Sequence, residues 1–423
     1  MRILVIGSGG REHAICWSFS KSPRVTKIFC ADGNAGIADL AECVTIKPHE
    51  IDKLANFASE NKIDLTFVGG ETSLALGVSD EFERRGLKIV GPSASAARLE
   101  ASKIFAKEFM ERHSIPTARF VAANSAAEAI HALNSRQFGS PETPVVVKAD
   151  GLAAGKGVVV ASNRAEAVSA IQEMASRVGA EAASHIVLEE CLFGREVSLL
   201  MFTDGANFAL MPPTRDHKRI GEGDTGPNTG GMGTITDSGL LTDSQTRTIA
   251  ETIIEPTLIG CRDEGLPFRG ILFLGLMMTE SGPKLLEYNV RFGDPETQSI
   301  LVRLETDLVD ICEAMLAGTL DRMQIEWHPG NSATIVLASK GYPDKPQTGD
   351  VIRGLDDAAK HHNLSIFHAG TSRNSNAELT TAGGRVLGVT ALADGLENAL
   401  GLAYDAVDDI SWNGMQYRRD IGK

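Results

Sequence analysis

Cysteines and aromatic residues are scarce in this chain, and each shortage excludes a class of protein. The 423 residues include six cysteines, none of which forms a CxxC pair or joins a histidine cluster with zinc-site spacing. We therefore expect neither a disulfide framework nor a zinc site. Aromatic residues make up only 5% of the chain, which leaves few platforms on which the bases of single-stranded nucleic acid could stack.

Positive charge and long apolar runs are also lacking. Lysine and arginine number 41 against 55 acidic residues, and the resulting net charge of −14 would repel a nucleic-acid backbone. No apolar run approaches the roughly 18 residues that a membrane span needs, and the first residues do not have the pattern of a secretion signal. We therefore expect a cytoplasmic protein with small-molecule partners, no nucleic acid and no membrane.

The first hundred residues alternate between apolar strands and amphipathic helices. This alternation predicts a parallel sheet that binds ligands at the carboxyl ends of its strands, where the loops are rich in glycine. The first loop has Gly7 and Gly9, but Glu12 occupies the place of the third glycine in a dinucleotide-binding motif. A nicotinamide-dependent oxidoreductase is therefore the weaker alternative. A helical stretch is predicted between about Pro92 and Ile115.

A β-hairpin with a glycine-rich tip is predicted between residues 145 and 160. Lys148 ends the first β-branched run, and Gly155, Lys156 and Gly157 lie in the tip. Glycine amides and lysine charges suit a loop that covers phosphates. A Walker P-loop is excluded because three residues, rather than four, separate the glycines and no serine or threonine follows the lysine. The residues alone leave a structural glycine turn open as an alternative.

Three polar residues alternate in the segment LLEYNVRFGDPETQ. Glu287, Asn289 and Arg291 are two positions apart, so in a strand their side chains leave the same face. The carboxylate and carboxamide offer hard oxygens to Mg²⁺, and the guanidinium can hold an anion beside them. In isolation the pattern also fits an ordinary solvated strand face. The preceding predicted strand, residues 270–278, contains no acid that could be a third ligand.

Two other segments have polar residues at the ends of strands. The segment HIVLEECLFGREVSLLM places acids before and after a glycine turn, where a strand edge could hold adenine and an acid could bind ribose hydroxyls. A glycine-rich loop, residues 214–233, begins with a cluster of charged residues and suits a lid over an anionic substrate. A solvated connection is the alternative for this loop.

The order of these segments resembles the ATP-grasp superfamily. Over essentially its whole length the chain closely resembles the phosphoribosylamine–glycine ligase family. The strings that carry this resemblance are GSGGREHA, KADGLAAGKGV, DHKRIGEGDTGPNTGGMG, LEYNVRFGDPETQ and GGRVLGVTA. The resemblance implies a multidomain protein of α/β and α+β type. We expect an N-terminal parallel α/β domain at 1–104, an ATP-grasp domain at 105–326 with a lid subdomain at about 122–192, and a small C-terminal α+β domain at 327–423.

The resemblance also implies an activity. Members of this family join glycine to 5-phosphoribosylamine with ATP, through a glycyl phosphate intermediate, in de novo purine biosynthesis. The expected cofactors are ATP and Mg²⁺ or Mn²⁺, and the expected state is a monomer or weak homo-oligomer. Another ATP-grasp carboxylate–amine ligase, or a carboxylase, is the alternative. No side chain is expected to act as a covalent nucleophile.

Site residues are carried over from the family by motif position. The metal ligands are expected to be Glu287 and Asn289. The expected ATP-binding residues are Lys107, Lys148, Gly155, Lys156, Gly157, Glu189, Glu190, Leu192 and Glu196. The expected substrate-binding residues are Gly9, Gly10, Asn34, Asp216, Lys218 and Arg291. The residues expected nearest the reacting groups are Arg291, Asp216, Asp294 and Gly293.

Overall fold

The N-terminal region of the computed structural model is a parallel sheet flanked by helices. The structure describes residues 1–135, 137–152, 157–180 and 183–423. The N-terminal strands are β1 (Arg2–Gly7), β2 (Lys27–Asp32), β3 (Glu42–Cys43), β4 (Leu65–Val68) and β5 (Ile89–Val90). The helices are α1 (Gly10–Ser20), α2 (Ile51–Glu60), α3 (Glu71–Ala75), α4 (Val78–Arg84), α5 (Ala94–Ala101) and α6 (Lys103–Arg112), with a 3₁₀ turn at Ile37–Asp39.

The strand order in this sheet is β3-β2-β1-β4-β5. β1 lies at the centre, and its apolar residues alternate between two cores: Leu4 and Ile6 pack on one face, Ile3 and Val5 on the other. The loops after β1 and β4 leave the sheet side by side, because these two strands are neighbours and parallel. The strand order reverses between β1 and β4. Open α/β sheets bind ligands at a point of this kind.

The helical stretch predicted between 92 and 115 is divided in the structure. α5 ends at Ala101 and α6 begins at Lys103, with Ser102 extended between them. The Ser102 hydroxyl accepts a hydrogen bond from the Phe105 amide at 3.1 Å and donates one to Asp150 at 3.1 Å. Serine is favoured as an N-cap because its hydroxyl can accept a bond from a first-turn amide. The break leaves the first residues of α6 beside the loop that follows Lys148.

The predicted hairpin belongs to a four-stranded antiparallel sheet in the order β6-β9-β7-β8. Its strands are β6 (Phe120–Ala123), β7 (Val145–Ala149), β8 (Val158–Ala161) and β9 (Ile186–Glu190), and its helices are α7 (Ala126–Asn134) and α8 (Arg164–Val178). β7 and β8 pair from Val145 opposite Ala161 to Lys148 opposite Val158, which confirms the hairpin. The predicted tip residues Gly155 and Lys156 lie outside the described residues.

The central region is mostly antiparallel. Its strands are β10 (Arg195–Thr203), β11 (Phe208–Leu210), β12 (Thr214–Asp216), β13 (Arg219–Gly221), β14 (Thr225–Asn228), β15 (Gly233–Thr236), β16 (Gly270–Thr279) and β17 (Gly282–Asn289). Its helical segments are the 3₁₀ turn Ser238–Leu240, α9 (Asp243–Ile249), a π-helical segment Ala250–Ile254, α10 (Glu255–Asp263), α11 (Glu296–Leu301) and α12 (Leu308–Ala317). The glycine-rich loop (residues 214–233) thus contains strands: β13 and β14 form a short hairpin within it.

The C-terminal region continues the central sheet. It contains the 3₁₀ turn Leu320–Arg322, the strands β18 (Asn331–Ala338), β19 (Leu364–His368), β20 (Thr371–Arg373), β21 (Leu379–Thr381) and β22 (Arg385–Ala393), and the helices α13 (Leu355–Ala358) and α14 (Leu396–Asp409). The strand order of the large sheet is β17-β16-β10-β12-β15-β18-β22-β19, with β11 paired to β10. Because β15 pairs with β18, the C-terminal strands lie in the same sheet as the glycine-rich loop.

The predicted fold class is confirmed by this arrangement: an N-terminal parallel sheet precedes antiparallel sheets in the central region and a C-terminal α+β region. Within the described parts of the chain, none of the helices has the length and apolar character needed to span a bilayer.

Candidate active site

Two lysines and one glutamate form a buried ion cluster where three elements meet. Lys107 on α6 lies with its Nζ 3.0 Å from Glu189 Oε2, and Lys148 on β7 lies with its Nζ 2.8 Å from Glu189 Oε1. Lys107 Nζ also donates to Thr117 Oγ1 at 2.7 Å. We call these three residues, Lys107, Lys148 and Glu189, the lysine cluster. Each side chain is at most 8% exposed, and Glu189 is the carboxylate in direct contact with both cations.

The side chain of Glu190, at the end of β9, points away from the lysine cluster that Glu189 joins. Glu190 accepts hydrogen bonds from the amide (2.9 Å) and Nε (2.7 Å) of Arg119, so its carboxylate lies outside the lysine cluster. Leu192 is half-buried, and Phe193 beside it is 72% exposed. Of the residues expected to bind the nucleotide here, Glu189 therefore lies with Lys107 and Lys148, while Glu190 is tied to Arg119, the residue before β6.

Lys103 is a further cation at this site, and the sequence analysis did not include it. Its Nζ donates to the Gly151 carbonyl at 2.8 Å, at the start of the glycine-rich hairpin tip. Burial lowers the pKa of Lys103, an effect that Glu287 opposes and Lys148 reinforces. The available signal was its spacing of four residues from Lys107, which places both lysines on one face of α6. Gly157, at the other end of the tip, accepts from the Ala149 amide at 2.8 Å.

Glu287, Asn289 and Arg291 lie on one side of the chain, and Tyr288 and Val290 between them are buried in the core. Glu287 pairs with Gly275 of β16. A Cβ on Gly275 would be 3.1 Å from Glu287 Cγ, so the glycine leaves room for the Glu287 side chain. Burial raises the pKa of Glu287, but the charges of Lys218, Lys148 and other cations outweigh it and hold that pKa below its usual value. The carboxylate is therefore ionised at neutral pH.

Arg291 is held by two acids from the N-terminal region. Its Nη2 lies 2.6 Å from Glu100 Oε1, and its Nε donates to Glu71 Oε2 at 3.1 Å. Nη2 also donates to Asn289 Oδ1 at 3.2 Å. The sequence analysis missed both acids, because neither lies in a string that the resemblance singled out. The guanidinium is thus fixed in orientation before any substrate enters.

The charged residues at the start of the glycine-rich loop face the same region. Lys218 Nζ donates to Glu196 Oε2 at 3.1 Å. Asp216 Oδ1 is buried and has no hydrogen-bond partner among the described residues. Burial, reinforced by the charge of Glu296, raises the pKa of Asp216 well above its usual value. A small cavity separates these groups, and it is lined by Glu196, Val197, Ser198, Asp216, Lys218, Gly275, Leu276 and Leu286.

Asp294 lies between the N-terminal loop and the C-terminal region. Its Oδ1 accepts from Gln298 Nε2 at 2.9 Å, and its Oδ2 would be 3.3 Å from a Cβ at Gly9. A Cβ at Gly10 would be 2.6 Å from Gln298 Nε2, and one at Gly293 would be 2.4 Å from Glu296 Oε2. Glycine at Gly10 and Gly293 thus lets the ends of the Gln298 and Glu296 side chains lie close to the backbone.

Three family models match the chain in order. They are described as the N domain, the ATP-grasp (A) domain and the C domain of phosphoribosylglycinamide synthetase, and they match residues 1–100, 101–297 and 332–423. The chain belongs to the phosphoribosylglycinamide synthetase family. It is similar to phosphoribosylamine–glycine ligase of Caldanaerobacter subterraneus subsp. tengcongensis, with 46% identity over 422 residues that cover 100% of this chain and 99% of the relative.

Solved structures share the fold of this family member. The crystal structure of phosphoribosylamine–glycine ligase from Thermotoga maritima is 33% identical, with a TM-score of 0.85 and full coverage of both chains. The biotin carboxylase domain of a Hydrogenobacter thermophilus 2-oxoglutarate carboxylase has a TM-score of 0.73 at 16% identity, covering 98% of this chain and 91% of that one. At 16% identity, the similarity to the biotin carboxylase domain shows a shared fold and nothing about activity.

The ATP-grasp domain implies ATP and a divalent metal, and the residues present fit such a metal. Glu287 accepts no hydrogen bond from any residue that the structure describes, and Asn289 Oδ1 lies beside it on the same face. No group of three or more His, Cys, Asp or Glu residues with metal-site geometry occurs in the described ranges. A hard cation that takes one carboxylate, one carboxamide, waters and substrate phosphates needs no such group.

Asn34, expected to bind substrate in this family member, has its side chain fully engaged. Nδ2 donates to the carbonyls of Ser8 and His368, both at 2.8 Å, and Oδ1 accepts from the amides of Gly36 (3.0 Å) and Ile37 (2.9 Å). A carboxamide has two donors and two acceptor sites. Asn34 therefore ties the loop after β2 to β1 and to the C-terminal region, and it can shape the substrate loop without a direct contact.

His217, next to Asp216, is a buried neutral histidine. Its Nδ1 donates to the Gly233 carbonyl and its Nε2 accepts from the Gly422 amide, both at 3.1 Å. Burial lowers the pKa of His217 to about 4. The unfolded chain, with a histidine pKa of about 6.5, binds the proton more readily. The contribution of His217 to stability is therefore complete above pH 6.5 and is lost as the pH falls towards 4.

We expect the free energy of unfolding to fall between pH 7 and pH 5, with about 2 kcal/mol of the loss due to His217. His217→Gln can keep both hydrogen bonds without titrating, so it should remove that part of the loss. Urea unfolding at the two pH values measures the difference. His362→Gln, at an exposed position, is the matched control and should leave the pH dependence unchanged. An equal pH dependence in wild type and His217→Gln would contradict the expectation.

Proposed function

We propose that this protein catalyses the ATP-dependent ligation of glycine to 5-phosphoribosylamine, giving glycinamide ribonucleotide, ADP and phosphate. Membership of the family supports this reaction. The observation that carries it is the position of the lysine cluster: the charge of Lys148 acts on Glu287 as well as pairing with Glu189. Buried cations beside an ionised metal-binding acid suit a polyphosphate and its metal better than any neutral ligand.

Activation of the glycine carboxylate is the chemical problem that this site must solve. A carboxylate cannot lose oxide to an amine at neutral pH, whereas an acyl phosphate can lose phosphate. We infer that ATP phosphorylates glycine and that the amine of phosphoribosylamine then attacks the glycyl phosphate. Most of the catalysis in such a transfer comes from positioning and from charge neutralisation, which fits a site that has fixed cations and no covalent nucleophile.

The nucleotide side of the site is assigned to the lysine cluster and the lid hairpin. Lys107 and Lys148 would hold the phosphates, and Gly155, Lys156 and Gly157 are assigned to the covering loop by their motif position. Glu189, Glu190 and Leu192 would lie along the adenine, and Glu196 near the ribose or the metal. Glu287 and Asn289 would hold Mg²⁺ or Mn²⁺, which when bound offsets the negative charge of the phosphates.

The substrate side is assigned to the loops around Asp294. Gly9 caps α1 and Gly10 begins it, and the Gly9 amide already donates to Glu12 Oε2 at 2.6 Å. The other backbone amides at this helix N-terminus suit the phosphate of phosphoribosylamine. Arg291, Asp216 and Lys218 would hold glycine and its activated form, with Gly293 and Asp294 beside them. We further propose a cytoplasmic enzyme that acts as a monomer or weak homo-oligomer, with domains at 1–104, 105–326 and 327–423.

We expect ADP to form only when glycine and freshly generated phosphoribosylamine are both present with ATP and Mg²⁺. The physical reason is that the acyl phosphate is consumed only if the amine is in place to attack it. A coupled assay for ADP, with product identified by mass spectrometry, measures this. Because the fold is also that of a biotin carboxylase, bicarbonate is the matched control substrate, and ADP formation with bicarbonate alone would reject the ligase in favour of a carboxylase.

A further inference from the structure

Arg385 extends from the C-terminal region into the proposed substrate site. It begins β22, within the string GGRVLGVTA, and neither the sequence nor the family membership gave it a role. Its Nη1 donates to the Asp294 carbonyl at 2.6 Å and to the Gly230 carbonyl, and its Nη2 lies 3.2 Å from Asp294 Oδ2. One guanidinium thus joins the turn at Asp294 to the end of the glycine-rich loop.

Tyr342, also in the C-terminal region, holds the same point of the glycine-rich loop. Its hydroxyl oxygen accepts a hydrogen bond from the Gly230 amide at 3.0 Å. The N–H and C=O of Gly230 are therefore both bonded by C-terminal side chains. A Cβ at Gly230 would be 2.9 Å from Arg385 Cζ, so glycine permits this close approach of loop and guanidinium.

The two segments that Arg385 joins are the ones that carry the proposed substrate residues. The glycine-rich loop begins with Asp216 and Lys218, and a Cβ at Gly231 would be 2.6 Å from Asp216 Oδ1. The Asp294 turn follows Arg291 directly, and Asp294 faces Gly9 of the N-terminal loop. The two segments also touch directly, because a Cβ at Gly231 would be 2.5 Å from Pro295 Cδ and Thr234 Oγ1 donates to the Pro295 carbonyl at 3.2 Å. Arg385 adds to this contact a guanidinium that bonds to both segments.

We propose that Arg385 is a positioning residue that fixes the Asp294 turn against the glycine-rich loop and so sets the site for glycine and phosphoribosylamine. The inference rests on the proposed function and deepens it. Within the described residues, no hydrogen bond or ion pair joins Arg385 to the lysine cluster. Its effect is therefore on the two small substrates and not on ATP.

Arginine suits this position better than lysine. Its planar fork presents several N–H donors at fixed angles, so it can bond two carbonyls and a carboxylate together, whereas an ammonium acts as a point charge. Burial opposes the charge of Arg385, but the carboxylate of Asp294 at 3.2 Å outweighs burial and raises the pKa of Arg385 above its usual value. Arg385→Lys should retain the charge and only part of the geometry.

The test is steady-state kinetics with glycine, phosphoribosylamine and ATP varied in turn. For Arg385→Met we expect kcat/KM for glycine to fall on the order of a hundredfold, as for a misplacement of about 1 Å, with the KM for ATP within about twofold of wild type. Arg385→Lys should recover part of the loss. Tyr342→Phe, which releases Gly230 alone, should show a smaller effect in the same direction. Arg353→Met, at an exposed position of the same region, is the matched control.

Two outcomes would overturn the inference. One is a kcat/KM for glycine within about twofold of wild type in Arg385→Met. The other is an equal loss for ATP and glycine together with a lower Tm and no recovery in Arg385→Lys, which is the result of general loosening. A wild-type protein that forms no ADP with both substrates would instead reject the proposed function, so the two failures are distinguishable.

Discussion

Replacement of Glu189 by glutamine is expected to destabilise the protein by roughly 3–5 kcal/mol. The Glu189 carboxylate neutralises Lys107 and Lys148 at 3.0 and 2.8 Å, and glutamine keeps its shape but removes its charge. Two buried ammonium groups would then have no carboxylate in direct contact, and only the charge of Glu287 would still act on them. Burial already lowers the pKa of Lys107 to about 8, an effect that Glu189 opposes. Urea unfolding at pH 7 measures the change in the free energy of unfolding.

The neighbouring residue provides a matched control for this prediction. Glu190 pairs with Arg119, whose side chain is 71% exposed, and exposed pairs contribute at most about 1 kcal/mol. Glu190→Gln should therefore change stability little. ATP should restore stability to Glu189→Gln only in part, since its phosphates can replace the lost anion while bound. A loss no larger than that of the control would show that the lysines do not depend on Glu189.

The parts of the site that lie along one strand or one hairpin could be predicted from the sequence. The two-residue spacing of Glu287, Asn289 and Arg291 determines their common face once the segment is extended. The β-branched runs around Lys148 determine the hairpin, because each run pairs with the other across a short connection. These inferences need only local geometry, and the structure bears out the hairpin and the strand that carries Glu287 and Asn289, whereas Arg291 lies in a bend beyond the end of that strand.

The partners of these residues could not be predicted, because they come from distant segments. Glu71 and Glu100 bind Arg291 from sequence separations of 220 and 191 residues, and no periodicity links such positions. The lysine partners of Glu189 could not be predicted either, since its place at a strand end gives no information on which way its carboxylate points. The pairing of β15 with β18, which brings Arg385 to the site, likewise depends on tertiary packing.

Removal of the Glu287 carboxylate is expected to cause the largest loss of activity. Glu287→Gln keeps the size of the side chain but leaves one charge fewer for the metal, and we expect turnover to fall on the order of 10²–10³-fold. The surrounding cations, Lys218, Lys148 and Lys103, would then act on the site without their counter-charge. The apparent affinity for Mg²⁺, from titration of activity and of metal binding, should fall as well.

Stability distinguishes this role in the site from a role in the fold. Nearby cations favour the charge of Glu287 and burial opposes it, and its carboxylate accepts no hydrogen bond from the described residues, so its replacement should cost well below the roughly 3–5 kcal/mol expected at Glu189. Glu280→Gln, at an exposed position in the turn before β17, is the control for both measurements. Normal Mg²⁺-dependent turnover in Glu287→Gln would reject the metal assignment. If turnover and stability were both strongly reduced, Glu287 would instead be needed for the fold. A metal-binding carboxylate at the edge of a site contributes little to packing, so its loss should not destabilise the protein in this way.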